Sequence, residues 1–183
     1  MLSDNPDGAE NQQERLINTG WVIGFVDGEG CFSIGFNRQS RREGRSGYKT
    51  GYQVSHRFAV TQSASSAVCL EELHGFFGVG RIARNARQDN HREDLLQYRV
   101  DRRADLVEVV IPFFRDHPLR TAKRYDFEAF ARCVELVSAG RHLDSEGLIE
   151  IVEISQTMNR QKPRHDLIRI LRGHTPEVQD TGS

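Results

Sequence analysis

Two alternating stretches constrain this chain more than any other feature. Phe32, Ile34 and Phe36 alternate with Ser33, Gly35 and Asn37, and Val54, Phe58 and Val60 alternate with polar partners over 52–62. A period of two marks half-buried strands, apolar on one face and wet on the other. Shorter segments at 78–83 and 95–100 read as a second strand pair. Between and around the pairs the period changes to that of helices: about 12–26, 63–77, 101–114 (ending near Pro112), 118–139 and 143–158. Ser63 is a candidate N-cap for the second helix, whose stripe is Val68, Leu70, Leu73 and Phe76; Asp144 or Ser145 is a candidate for the last. Strand pairs separated by helices predict an α+β fold, one antiparallel sheet with helices on one face. Residues 1–11 and 174–183 are polar and read as disordered tails, leaving 12–173 as a single domain.

The exposed sheet face would then carry Ser33, Gly35, Asn37, Gln53, Ser55, Arg57, Arg81, Asn85, Gln97 and Arg99. Arg, Asn and Gln match the donors and acceptors on base edges, although alternation alone is equally satisfied by an inert solvated face. Net charge is −1, but residues 30–103 hold 13 Lys and Arg against 7 Asp and Glu, a basic middle between acidic ends. The loop at 38–51 bears Arg41, Arg42, Arg45 and Lys49, which suit phosphate contacts. The run from Leu106 to Phe114 is broken by Glu108 and Pro112 and is far too short to span a bilayer. The acidic N-terminus is unlike a signal or transit peptide. Cys31, Cys69 and Cys133 show no ligand spacing and read as reduced thiols. A cytoplasmic protein is expected, in a bacterial cytosol or nucleoid or encoded in an organelle.

The first helix ends in Trp21-Val22-Ile23-Gly24-Phe25-Val26-Asp27-Gly28-Glu29-Gly30. Gly20 and Gly24 are four apart and share one helix face, where missing side chains allow a second helix to approach. The segment resembles the signature of the LAGLIDADG homing endonucleases in its D-G-E-G variant. Four further segments are similar to that family in order: 59–62, 78–80, 111–123, and 147–152 with Met158-Asn159. The resemblance covers about residues 16–160. It implies an αββαββα unit with extra C-terminal helices, whose antiparallel sheet forms a DNA-binding saddle. Two departures stand out. Ile23 occupies a position the family keeps small, and Ser66 stands where a basic residue is common.

Only one motif is present, so the resemblance implies a homodimer on a long, near-palindromic double-stranded DNA target. Gly20, Trp21, Ile23, Gly24 and Asp27 would form the dimer interface. Glu29 and the Gly28 carbonyl would bind Mg2+, with Mn2+ as a substitute and Ca2+ supporting binding without cleavage. Glu29, Gln62 and Lys123 would be the catalytic residues. Gln62 would orient the attacking water and Lys123 stabilise charge near the scissile phosphate. Arg41, Arg42 and the outward strand residues would contact DNA. No membrane and no small-molecule cofactor are implied, and the gene would lie within an intron whose homing the enzyme promotes. Two other readings remain open: a nucleic-acid-binding protein of this fold that no longer cuts, such as an RNA maturase or transcription regulator, and a domain that binds a small molecule or protein.

Overall fold

The structure is a computed structural model and describes residues 6–39, 50–85, 94–159 and 164–173; the side chains of 6–17 and of Asn85 lie outside the described part. Helix α1 (Pro6–Glu29) leads into strands β1 (Gly30–Arg38) and β2 (Tyr52–Ser63). A single 3-10 turn precedes α2 (Ala67–Phe77), followed by β3 (Arg81–Asn85) and β4 (Leu95–Val100). A helical stretch then runs through α3 (Arg103–Asp105), a π turn (Leu106–Val110) and α4 (Ile111–Asp116). Helices α5 (Lys123–Ser138), α6 (Ser145–Gln156) and α7 (His165–Gly173) complete the chain. The four strands form one sheet in the order β1-β2-β4-β3, with β4 antiparallel to both neighbours. This is the α+β, αββαββα arrangement with additional C-terminal helices that the sequence predicts.

The chain divides into two compact units. One comprises Met1–Cys31 and Phe58–Arg124, the other Phe32–Arg57 and Tyr125–Ser183. In the first, Phe58 is fully buried and meets Phe77, Tyr98 and Phe114 edge-on at ring separations of 5.7–6.1 Å. Edge-to-face contacts of this kind add to the stabilisation from burial itself. Tyr98 brings a polar atom inside, and its hydroxyl donates to the Val79 carbonyl at 2.9 Å. Burial, and then the Asp105 carboxylate, push that hydroxyl's pKa well up, so it remains a donor. In the second unit, α5 buries Phe127, Phe130, Val134 and Val137, the spacing of one helix face. Phe32 of β1 contacts Phe127 and Phe130, each at 5.4 Å. Helix α6 turns Leu148, Ile151, Val152 and Ser155 inward, and Asp144 caps it by accepting from the Gly147 N–H at 2.7 Å.

Several boundaries differ from the sequence expectation. Helix α1 begins at Pro6, so residues 6–11 are helical rather than part of a tail; 1–5 and 174–183 lie outside the described residues. Ser63 makes no capping bond; its hydroxyl pairs with that of Ser65 at 2.7 Å, and a 3-10 turn intervenes before α2. The buried stripe of α2 is Leu70, Leu73 and Phe77, whereas Val68 and Phe76 are 62% and 37% exposed. Gly78 ends α2 with φ +65°, a conformation glycine adopts without penalty, so β3 starts at Arg81 instead of Gly78. Pro112 does not end its helix. It lies in the first turn of α4, directly after the π turn, whose wider hydrogen-bonding pattern accommodates it. Residues 117–122 are not helical, because tertiary hydrogen bonds claim their backbone, and α5 begins at Lys123. Helix α7 was not foreseen.

Candidate active site and DNA-facing strands

Helix α1 delivers the motif. Val22 and Val26 are fully buried, one turn apart, and fix one face of the helix inward. Gly20 and Gly24 lie on the opposite, exposed face, and a Cβ built on either would meet nothing within 4 Å. Ile23 and Asp27 border that stripe and are half-buried, and Trp21 stacks on Phe25 at 5.1 Å. The last glycine of the motif is required by close approach. A Cβ on Gly30 would stand 2.6 Å from the Val26 carbonyl oxygen, so the chain turns into β1 hard against the last turn of α1. Gly28 and Glu29 are left exposed at that helix end.

A helix C-terminus carries carbonyl oxygens with no intrahelical donor and a partial negative charge. Here Lys123 answers both. Its ammonium donates to the Val26 carbonyl at 3.1 Å and the Gly28 carbonyl at 3.0 Å. The lysine is aimed by a second set of bonds. The Asp27 carboxylate accepts from the Arg120 N–H at 2.8 Å, the Thr121 N–H at 3.1 Å and the Thr121 hydroxyl at 2.7 Å. The Thr121 hydroxyl in turn accepts from the Lys123 N–H at 3.2 Å, capping the first turn of α5. Burial alone would raise the Asp27 carboxyl; the bonds from Thr121 and Arg120, with the charge of Lys123, outweigh it and hold the group below its ordinary range. Asp27 was assigned from sequence to a dimer interface. Its carboxylate also ties the 120–121 loop to α1.

The site residues expected from sequence are only partly brought together. Lys123 meets Gly28, and Glu29 adjoins it. Gln62 pairs in register with Leu96, is half-buried, and shares the strand face of the buried Phe58 and Val60. The donors expected to hold a metal, the exposed carboxylate of Glu29 and the exposed backbone carbonyl of Gly28, are hard oxygen ligands of the kind that suits a hard cation.

The outward strand residues follow their parity. In the second unit, Asn37, Gln53, Ser55 and Arg57 are exposed and Ser33 and Gly35 half-buried, while Phe32, Ile34, Tyr52 and Val54 face inward. The Ser33 hydroxyl donates to the Arg57 carbonyl at 3.4 Å, and the Gln39 amide to Gln53 at 2.8 Å. In the first unit, Arg81 is exposed and Gln97 and Arg99 half-buried, while Tyr98 and Val100 are inward. Register sets Arg81 opposite Arg99, and Ala83 opposite Gln97. Thr61, absent from the sequence-based set, lies opposite Gln97 and accepts its amide at 3.0 Å. Counting on by twos from Arg57 would have found it. Asp101 was also missed; it accepts a hydrogen bond from Arg81 and lies at ion-pair distance from Arg99. Arg41, Arg42, Arg45 and Lys49 lie outside the described residues, as does the Asn85 side chain.

Comparison with known proteins accords with this arrangement. The profile of the family described as LAGLIDADG endonuclease matches residues 22–134, more than half of the chain. Among curated proteins, "Probable intron-encoded endonuclease 3" of Neurospora crassa is 33% identical over 143 residues, covering 76% of this chain and 24% of that protein. The homing endonuclease I-TnaI is 39% identical with a TM-score of 0.70, over 85% of this chain and 96% of its own. The I-SmaMI LAGLIDADG homing endonuclease, solved bound to cleaved DNA, is 29% identical with a TM-score of 0.72, over 87% of this chain and 49% of its own. I-SmaMI has also been solved with an uncleaved DNA target in the presence of calcium ions. This chain belongs to the LAGLIDADG endonuclease family. It spans about a quarter of the length of the curated relative from Neurospora. No helix among the described residues is long and apolar enough to cross a membrane.

Proposed function

We propose that the chain is a site-specific homing endonuclease that hydrolyses both strands of a long, near-palindromic DNA target as a homodimer, with residues 12–173 as the endonuclease domain. The observation that carries this reading is the end of α1, where the exposed Glu29 adjoins a Gly28 carbonyl already bound by the Lys123 ammonium. The family supplies the reaction class, and this geometry supplies groups suited to it.

The open face at Gly20 and Gly24 suits the crossing of two α1 helices, which would bring two copies of Glu29 together. Trp21, Ile23 and Asp27 would border that contact, with Asp27 also holding the adjoining loop. In the dimer the second carboxylate would come from the partner copy. The coverage supports this reading: the chain matches nearly all of I-TnaI but about half of I-SmaMI.

Two adjacent carboxylates repel, and divalent cations relieve that repulsion. Glu29 and the Gly28 carbonyl would hold Mg2+, with Mn2+ as a substitute and Ca2+ supporting binding alone. The ion would stabilise charge on the attacking and leaving oxygens of the phosphodiester. Lys123 places a positive group at the same helix end, where it would stabilise charge developing on the phosphate. Gln62, a neutral amide, would orient water. Outward strand residues would read base edges in duplex DNA: Ser33, Gly35, Asn37, Gln53, Ser55 and Arg57 from one unit, and Arg81, Asn85, Gln97 and Arg99 from the other. Arg41 and Arg42 would meet phosphates. The protein would act in whichever compartment holds its host DNA.

The test is a plasmid carrying the joined flanks of the coding element, incubated with purified protein in Mg2+ or Ca2+. Linearisation in Mg2+ and binding alone in Ca2+ are expected. Binding in both without cutting would favour a protein of this fold that only recognises nucleic acid.

A further inference from the structure

Arg81 and Arg99 are direct partners across β3 and β4 on the outward face. Like charges at directly opposed positions repel, and unrestrained guanidiniums would splay apart. One carboxylate oxygen lies between them. Asp101 Oδ2 accepts a hydrogen bond from an Arg81 terminal nitrogen at 3.2 Å and lies at ion-pair distance, 3.4 Å, from Arg99 Nε, which makes no hydrogen bond to it. Asp101 is two residues beyond Arg99 and so continues the outward row of β4 past its end. The Arg81 and Asp101 side chains are 63% and 31% exposed, and exposed ion pairs add little to folding stability. The consequence of this carboxylate lies in where it holds the two arginines and in the charge it cancels.

We propose that Asp101 determines how sharply the protein discriminates among DNA sequences. It fixes Arg81 and Arg99 as one oriented pair of guanidiniums and keeps that patch from gripping any phosphate backbone. The inference rests on the reading that this sheet face meets duplex DNA. Arginine is the side chain best suited to a forked contact with guanine, but it serves equally well as an indiscriminate phosphate anchor. Phosphate attraction grows with each positive charge and carries no sequence information. A carboxylate shared by two arginines removes one charge from that attraction while keeping both residues on the outward face. Specificity is a difference of affinities, and a repulsive element that penalises wrong partners raises it.

The experiment uses the full chain and a randomised duplex pool. The wild-type protein selects its preferred sequence from the pool in Ca2+. That duplex and a shuffled duplex of equal length are then titrated against wild type, Asp101→Asn and Asp101→Ala. For both variants we expect tighter binding to the shuffled duplex, with a log–log salt slope steeper by about one. The ratio of preferred to shuffled affinity should fall about tenfold. Repeating Asp101→Asn with Arg81→Ala and Arg99→Ala should abolish the change. An unaltered ratio in both Asp101 variants, or a parallel loss of both affinities with a lower melting temperature, would overturn the proposal. A wild-type protein that enriches no sequence from the pool would instead sink the DNA reading, and this inference with it.

Discussion

The end of α1 and the outward strands both present charge, but they hold it differently. At the helix end each charged group is over-determined. Asp27 accepts from two backbone N–H groups and a hydroxyl, and Lys123 donates to two carbonyls in the last turn of α1. On the outward face of β3 and β4, two arginines share a single half-exposed carboxylate. The first arrangement suits chemistry, because preorganised groups need no rearrangement as charge develops. The second suits recognition, because exposed pairs of this kind cost little to exchange for contacts with DNA. Substitutions at the two places should therefore fail in different ways.

The largest effect is expected from Glu29→Gln, which keeps the shape of the side chain and removes its charge. Cleavage should fall by about a thousandfold or more, while binding to the selected duplex persists, as measured by plasmid linearisation beside a gel shift. Equal loss of both would break the contrast between the two regions. Lys123→Met should lower the cleavage rate by about a hundredfold. It should also cost roughly 1 kcal/mol of stability through the uncapped α1 carbonyls, seen in denaturant unfolding. On the strand side, Gln53→Ala should weaken binding by only about fivefold and leave the single-turnover rate on bound DNA unchanged. A fall in that rate instead would mean that the strands also position the reacting phosphate.

The smallest effect concerns acid. The folded-state pKa of Asp27 lies below its ordinary value of 3.8, so the stability it contributes is fully present above that value and disappears as pH falls through the lower folded one. Asp27→Asn should lower the melting temperature at neutral pH and flatten its decline as pH falls below the ordinary carboxyl value of 3.8. An unchanged acid profile would assign the decline to other carboxylates.

Alternation made the sheet legible in the sequence. Each strand residue's face depends only on its neighbours two away, so Asn37, Gln53 and Arg57 were found on the correct side. The motif likewise placed Gly28 and Glu29 at a helix end. What escaped depended on contacts distant along the chain. Asp27 and Thr121 are 94 positions apart, so neither the break at 117–122 nor the aim of Lys123 has a local signature. The Arg81–Asp101 pair is set by strand register, which alternation does not specify. The extension of helix through Pro112 depends on a π turn in an apolar run that reads equally well as unbroken α-helix.

The central claim is that two chains each supply one Glu29 to a shared metal-binding site. Mixing wild type with Glu29→Gln at a fixed total concentration, and allowing the dimers to exchange, tests it directly. If both copies are required, double-strand cleavage of the joined-flank plasmid should follow the square of the wild-type fraction. Cleavage falling in direct proportion to that fraction would mean that one chain cuts both strands unaided, contradicting the account.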